Sequence, residues 1–384
     1  MNNQQFQFCR AYGVSRLRHC AILCMALIAL SLSGLKPAIA QEEKIVNVYN
    51  WSDYIAEDTI KNFEKETGIK VRYDVFDTNE VLHAKLVARK TGYDIVVPSD
   101  TFAALQIQGG LFKTLDKSKL PNLVNMDPIV QAALSKMDPN NDHLVTWLWG
   151  YTTVGINTQK VKAALGNLPM PKNAWDLLFD PQYAAKLASC GISFMDSGNE
   201  VLPAALMYIG KSAYSQNAAD YKEAGAMLQK IRPYVRIFSS SSYINDLANG
   251  GLCAVMGYSG DINIARQRAV AAKNGNQIEV LIPSTSAVLF FDAMAIPTDA
   301  PHPNNALIFM NYIMRPEVHA SLTNKVFYAN PNINSMKYVK KEVAENKTVF
   351  LSDDDKKRMT PPEPTSAMIR KVEARTFTQF KTGL

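Results

Sequence analysis

The segment Gly257-Tyr258-Ser259-Gly260-Asp261 begins like the glycine-flanked serine of a hydrolase elbow, but its fifth residue is Asp rather than Gly. Asp292 and His302 follow it in the acid-then-histidine order that such chemistry uses. Many chains of this length offer that pair by chance. The five histidines, His19, His83, His143, His302 and His319, are scattered, with no two at metal-ligand spacing. The chain has no P-loop, dinucleotide fingerprint or paired-cysteine zinc pattern. Adjacent tyrosines, which could hold iron, are also missing. The expectation is therefore no cofactor, no metal and no catalysis, with a serine hydrolase kept as the weaker alternative.

Residues 1–40 carry Arg10, Arg16, Arg18 and Lys36 and no acidic side chain. An apolar run from Cys20 to Leu35 follows, then Pro37-Ala38-Ile39-Ala40. A basic start, a short apolar core and small residues at the end predict a secretory leader cleaved after Ala40. The run is shorter than the roughly 20 apolar residues of a spanning helix. Removing those four cations from the 41 basic side chains leaves 37 against 35 acidic ones, a net charge of +2 instead of +6. A nearly neutral mature chain offers no footprint for nucleic acid. Cys190 and Cys253 remain after the leader. In an oxidising compartment they can bridge, closing a loop of about 64 residues. Packed separately, they would be two small buried thiols.

The positioning elements come next. At 384 residues, 47% apolar and 20% charged, the chain has the length for two or three globular domains. Ile45–Tyr49, the alternating Ile69, Val71, Tyr73 and Val75, and Asp94–Val97 read as strands separated by single helices. The first helix covers Glu57–Glu66, with Gly68 as its stop; the second opens at an Asp77/Glu80 capping box. Strands joined this way pair in parallel, so the fold class is α/β. Two apolar runs, Trp147–Ile156 and Val288–Ile296, are long enough to cross between lobes. Between them lie Trp175–Leu187, a helix near Val201–Gly210, Tyr221–Ile231 and a strand at Ala254–Met256; Ala306–Met314 then returns to helix. Two crossings predict two lobes, each a sheet flanked by helices and each discontinuous. The expected boundaries are 41–150 with 293–335, and 151–292 with 336–384. Ligands favour the cleft between lobes, beyond the C-terminal ends of strands. Trp51, Ser99, Tyr258 and Asp261 occupy such positions.

Val48-Tyr49-Asn50-Trp51-Ser52-Asp53-Tyr54-Ile55, Val97-Pro98-Ser99, Tyr243–Gly250, Gly257–Asp261, Phe290-Phe291-Asp292 and Phe327-Tyr328-Ala329-Asn330 together resemble the periplasmic polyamine-binding proteins of ABC importers, closest to the putrescine-binding branch. The resemblance spans the whole mature chain, in order and at similar spacing. It implies a two-lobed periplasmic binding protein that closes on its ligand and serves an inner-membrane permease as a monomer. It also implies aromatic walls at Trp51, Tyr54, Tyr258, Phe290 and Tyr328, and ammonium-binding acids at Glu200, Asp261 and Asp292. Ser52, Asp53, Ser99 and Ser240 would sit at the rim or supply polar contacts, and the family's cysteine pair resembles Cys190 and Cys253.

The chemistry of such a set suits a linear diamine. Aromatic faces pack methylenes and attract ammonium at roughly 0.5–2 kcal/mol each. Carboxylates at both ends accept charge-assisted hydrogen bonds. Two positions lean towards putrescine over spermidine. Ser197 stands where spermidine-preferring relatives carry Asp, and Phe290 where they carry Trp. Tyr258, where relatives commonly have Trp, leaves more room and leans the other way. The alternatives are a receptor for spermidine or for another small cationic or neutral solute. A sugar needs fewer convergent acids, and an amino acid needs a basic partner that the set lacks.

Overall fold

The structure, a computed structural model, describes residues 42–384. The expected leader and its cleavage site lie outside the described residues. The first sheet opens with β1 (Ile45–Trp51), in which buried Val46 and Val48 alternate with less buried Ile45 and Asn47. Helix α1 (Thr59–Thr67) ends at Gly68, whose φ of 70° is the left-handed geometry that glycine adopts without strain. Then come β2 (Lys70–Phe76), α2 (Asn79–Ala88), β3 (Ile95–Val96) and α3 (Asp100–Gln108). The strands form a parallel sheet in the order β2-β1-β3, as the alternation of strand and helix predicted. The cap of α2 differs from expectation by one residue. Thr78, not Asp77, accepts the Val81 N–H, and Asp77 instead accepts the Ser52 hydroxyl at 3.0 Å.

The 13-residue β4 (Val145–Asn157) is the first of the two crossing runs and is buried along nearly its whole length. After it come β5 (Ile192–Phe194), α4 (Gly198–Tyr208), β6 (Val235–Phe238), α5 (Tyr243–Ala248), β7 (Ala254–Tyr258), α6 (Ser259–Ala272), β8 (Ile278–Leu281), β9 (Ala287–Met294) and β10 (Met359–Thr360). These strands make a seven-stranded sheet in the order β10-β9-β4-β7-β5-β6, with β8 also on β4. Residues 145–151 of β4 pair with β9, whereas residues 152–157 pair with β7 and β8. Ala295, just after β9, bridges Val96 of β3, and Asp292 of β9 bridges Ser99, three residues after β3. The segment 175–187 is two helices, Asp176–Phe179 and Pro181–Leu187. The break falls where Asp180 caps a new start and Pro181 takes its first position.

One core gathers Val46, Phe63, Ile95, Trp147 and Phe309. A second gathers Trp175, Phe179, Phe194, Tyr221 and Phe380. Cys190 and Cys253 are bridged, with Cα atoms 5.5 Å apart, so the disulfide reading holds and the two-thiol one does not. The bridge ties the segment before β5 to the segment before β7, two neighbouring parallel strands.

Candidate functional site

The end of β1, the turn after it, the start of α6, the middle of β9 and the segment 327–330 meet where β4 changes partners. Trp51 is fixed by its indole N–H, which donates to the Val97 carbonyl at 2.9 Å. Its ring packs on Phe76 at 4.6 Å and meets Tyr258 edge-on at 6.5 Å. Tyr258 lies 4.9 Å from Phe290, Phe290 lies 6.1 Å from Tyr328, and Tyr328 meets Tyr54 edge-on at 4.9 Å. The five expected aromatics thus form one continuous chain of rings. Two glycines make space for it. A Cβ on Gly260 would lie 2.2 Å from the Tyr328 ring, and one on Gly150 would lie 2.9 Å from both Phe290 and Tyr328.

Two carboxylates are held among these rings. Asp292 accepts the Tyr54 hydroxyl at 2.9 Å and the Ser99 hydroxyl at 2.6 Å. Asp261 accepts the Tyr328 hydroxyl at 2.6 Å and the Tyr243 hydroxyl at 2.8 Å. Burial pushes Asp292 up to about 7; the hydroxyls oppose that rise, while the charges of Glu200 and Asp261 add to it. Asp261 is pushed up to about 6, again by burial first, with its two tyrosine donors and the more distant Arg268 working against it. A carboxylate offers about four acceptor positions, so two hydroxyl donors leave room for an ammonium group.

Glu200, in the first turn of α4, is reached differently. It accepts the Thr152 hydroxyl at 2.5 Å and, at a long 3.4 Å, the Tyr258 hydroxyl. Burial raises it to about 7. It lines a separate, larger cavity of about 480 Å³ that also touches Ser99 and Phe290. The aromatic box itself encloses about 30 Å³, bounded by Trp51, Ser52, Tyr54, Ser99, Ser240, Tyr258, Asp261, Phe290, Asp292 and Tyr328. That is room for about two waters.

Ten of the twelve expected positions therefore border one box, Glu200 stands behind it, and Asp53 lies outside. Asp53 has a left-handed φ of 56° and pairs with Arg268 at 2.7 Å on the outer side. It lines a neighbouring surface cleft. The turn holds Ser52 inward and turns the next side chain out. Ser240 accepts the Asp196 N–H at 3.1 Å.

Sequence reasoning passed over Tyr243 and Thr152, the second donor to Asp261 and the short donor to Glu200. Both look like ordinary core residues, fully buried on α5 and β4. A signal for Tyr243 was present in Gly257, where a Cβ would lie 2.6 Å from the Tyr243 ring. The hydrolase constellation is not assembled. His302 bonds Asp94 at 3.0 Å, Asp292 bonds Tyr54 and Ser99, and Ser259 is buried at the first position of α6.

A model of the bacterial extracellular solute-binding proteins matches residues 58–350. The chain belongs to that family. The solute-binding protein is 45% identical over 359 residues to the putrescine-binding periplasmic protein SpuD of Pseudomonas aeruginosa, covering 93% of this chain and 98% of the relative. It is also 45% identical to the putrescine-binding periplasmic protein PotF of Escherichia coli, covering 93% and 96%. The spermidine/putrescine ABC transporter substrate-binding protein PotD of Streptococcus pneumoniae superposes with a TM-score of 0.71 at 26% identity, over 89% of this chain and 99% of that one. The fold is accordingly the two-lobed periplasmic binding protein that the resemblance implied. Among the described residues, no helix is long and apolar enough to cross a membrane.

Proposed function

We propose that this solute-binding protein is a periplasmic receptor that closes two lobes on a linear diamine, putrescine in preference to spermidine, and hands it to an inner-membrane ABC permease. One observation carries the reading: two buried carboxylates, each held by two hydroxyls, stand along one chain of aromatic rings. A diamine is two cations on an apolar stem. The rings cover the stem and attract its ends, and Asp261 and Asp292 accept the ammonium protons. Glu200, behind Tyr258, adds negative potential. The small volume of the box means that the rings must part for entry, which is the lobe motion such a receptor uses.

Lobe boundaries at 41–150 with 293–335, and 151–292 with 336–384, belong to the same proposal. The exchange of partners along β4 between residues 151 and 152 supports the first of them. Export with cleavage after Ala40 and a monomeric state are part of the same proposal; the periplasmic relatives support the location. A receptor function without catalysis fits the binding-protein names of those relatives.

Spermidine is the second reading, favoured by the larger cavity beyond Phe290 and Ser99, whose acidic lining could receive a longer cation. Calorimetry on protein unfolded and refolded to remove copurified ligand, against di- and triamines, tests both. Heat with putrescine and a weaker response to spermidine is expected. Binding of neither amine would sink the polyamine reading.

A further inference from the structure

Residues 98–100, leading into α3, grip three successive residues of β9. The Pro98 carbonyl accepts the Ala293 N–H at 3.0 Å, the Ser99 hydroxyl donates to Asp292 at 2.6 Å, and the Asp100 carboxyl accepts the Phe291 N–H at 2.7 Å. The third bond has a specific necessity. Phe291 faces Trp149 across the antiparallel pair, and the Trp149 N–H turns away to the Ala329 carbonyl at 2.9 Å. That makes 149/291 a pair without mutual backbone bonds, in which the Phe291 N–H also points away from β4. Phe291 is buried, so without Asp100 its N–H would be an orphan donor.

Side chains alternate along a strand, so Phe290 and Asp292 share one face while Phe291 takes the other. We propose that Asp100 is a positioning residue for the aromatic box: by holding the backbone of Phe291, it fixes the directions of the Phe290 ring and the Asp292 carboxylate on either side. Asp100 does not border the box. It is 2% exposed and lines the neighbouring cavity. Its role needs an acceptor oxygen and not a charge, which separates it from Asp261 and Asp292. The ligand part of this inference rests on the diamine reading.

Three variants and two readouts test it. Asp100→Asn keeps an oxygen for the Phe291 N–H; Asp100→Ala removes it; Asp100→Ser, whose oxygen is one bond shorter, stands in if the alanine variant does not fold. Loss of the acceptor should weaken putrescine by about tenfold. It should also narrow the preference for the four-carbon over the five-carbon diamine by roughly threefold, since the spacing between carboxylates is no longer fixed. Asp100→Asn should restore both to within about threefold of wild type. In ligand-free protein, amide exchange of peptides over 288–294 should quicken about tenfold in Asp100→Ala and stay unchanged in Asp100→Asn. Equal exchange in the alanine variant and wild type overturns the proposal, as does an asparagine variant that binds as poorly as the alanine one. If the wild type binds no diamine, the polyamine reading fails instead, and exchange alone decides the role of Asp100.

Discussion

Two cavities share Phe290 and Ser99, yet they surround their carboxylates differently. In the aromatic box, Asp261 and Asp292 each accept two hydroxyls, and those hydroxyls come from elements far apart in the chain. In the wider cavity, Asp196 is ion-paired with Lys381 at 2.7 Å, Glu80 and Glu363 are exposed, and the buried Glu200 and Glu373 also accept hydroxyls but stand outside the chain of rings. A carboxylate paired with lysine is already neutralised, and an exposed one is screened by water. What sets the box apart is that its two hydroxyl-held carboxylates stand along one chain of aromatic rings, which can cover the stem of a cation while they accept its ends. Burial is the main cause that raises Asp292 to about 7, and an ammonium group placed beside it would favour the charged form again. Volume alone would point to the wider cavity; the aromatic chain with its two carboxylates points to the box.

The largest effect expected from this contrast is on affinity. Asp292→Asn or Asp261→Asn should cost about 2–5 kcal/mol of diamine binding, because an ammonium group loses its buried partner. That is roughly 30- to 4,000-fold by calorimetry. Glu373→Gln in the wider cavity and Asp246→Asn on α5 should change putrescine affinity by less than about threefold, because neither borders the aromatic box. Equal losses at Glu373 and Asp292 would erase the distinction between the two cavities.

A smaller but more diagnostic effect concerns pH. Asp261, Asp292 and Glu200 titrate near 6 to 7 when folded, above their ordinary 3.8 to 4.5. A raised carboxyl pKa means that the folded protein holds protons the unfolded chain has released. These groups therefore stabilise the empty protein most at low pH, and that contribution is lost as pH rises through about 7. Binding has the opposite sign, because the dication needs the charged form. Putrescine affinity should fall at least about tenfold from pH 8 to pH 5, while this contribution to unligated stability grows. His319, buried and lowered to about 4, works against the stability trend as pH falls below its ordinary 6.5. The difference between wild type and Asp292→Asn melting curves isolates the carboxylates. A putrescine affinity that does not change over this range would show that the box acids stay ionised without ligand.

What could be read from the sequence follows the range of the interactions. Parallel pairing of β1, β2 and β3 follows from local periodicity, and so does the left-handed stop at Gly68. The crossing strands were visible as long apolar runs. The shift of the α2 cap from Asp77 to Thr78 was not, because two adjacent residues with capping side chains are separated only by which one the turn points outward. The site divides in the same way. Trp51, Ser99, Tyr258 and Asp261 follow from strand ends, while Tyr54 and Asp292, 238 residues apart, meet only through the tertiary fold. Tyr243 and Thr152 escaped notice because a buried hydroxyl aimed at a carboxylate has the same sequence signature as core packing. For Asp53, only the fold shows that a left-handed backbone brings its carboxylate beside Arg268.

The smallest effect sharpens the boundary between the two cavities. Ser197 is buried at the N-cap of α4 and makes no side-chain bond to the first-turn amides. Ser197→Asp keeps a favoured capping residue there, so the helix should tolerate it. It also sets a carboxylate three residues before Glu200, between Asp196 and Gly198, which line the wide cavity. A third ammonium group entering that cavity would then find a partner instead of being desolvated alone. Spermidine affinity should rise about three- to tenfold, as for one added hydrogen bond of ordinary strength, while putrescine changes by less than about threefold. Competition of spermidine against bound labelled putrescine reads the ratio directly. If Ser197→Asp strengthens both amines equally, the third charge does not enter the wider cavity and the added carboxylate acts only through the general field. If unmodified protein already binds spermidine as tightly as putrescine, the space left by Tyr258 outweighs the missing charge at Ser197 and the smaller ring of Phe290.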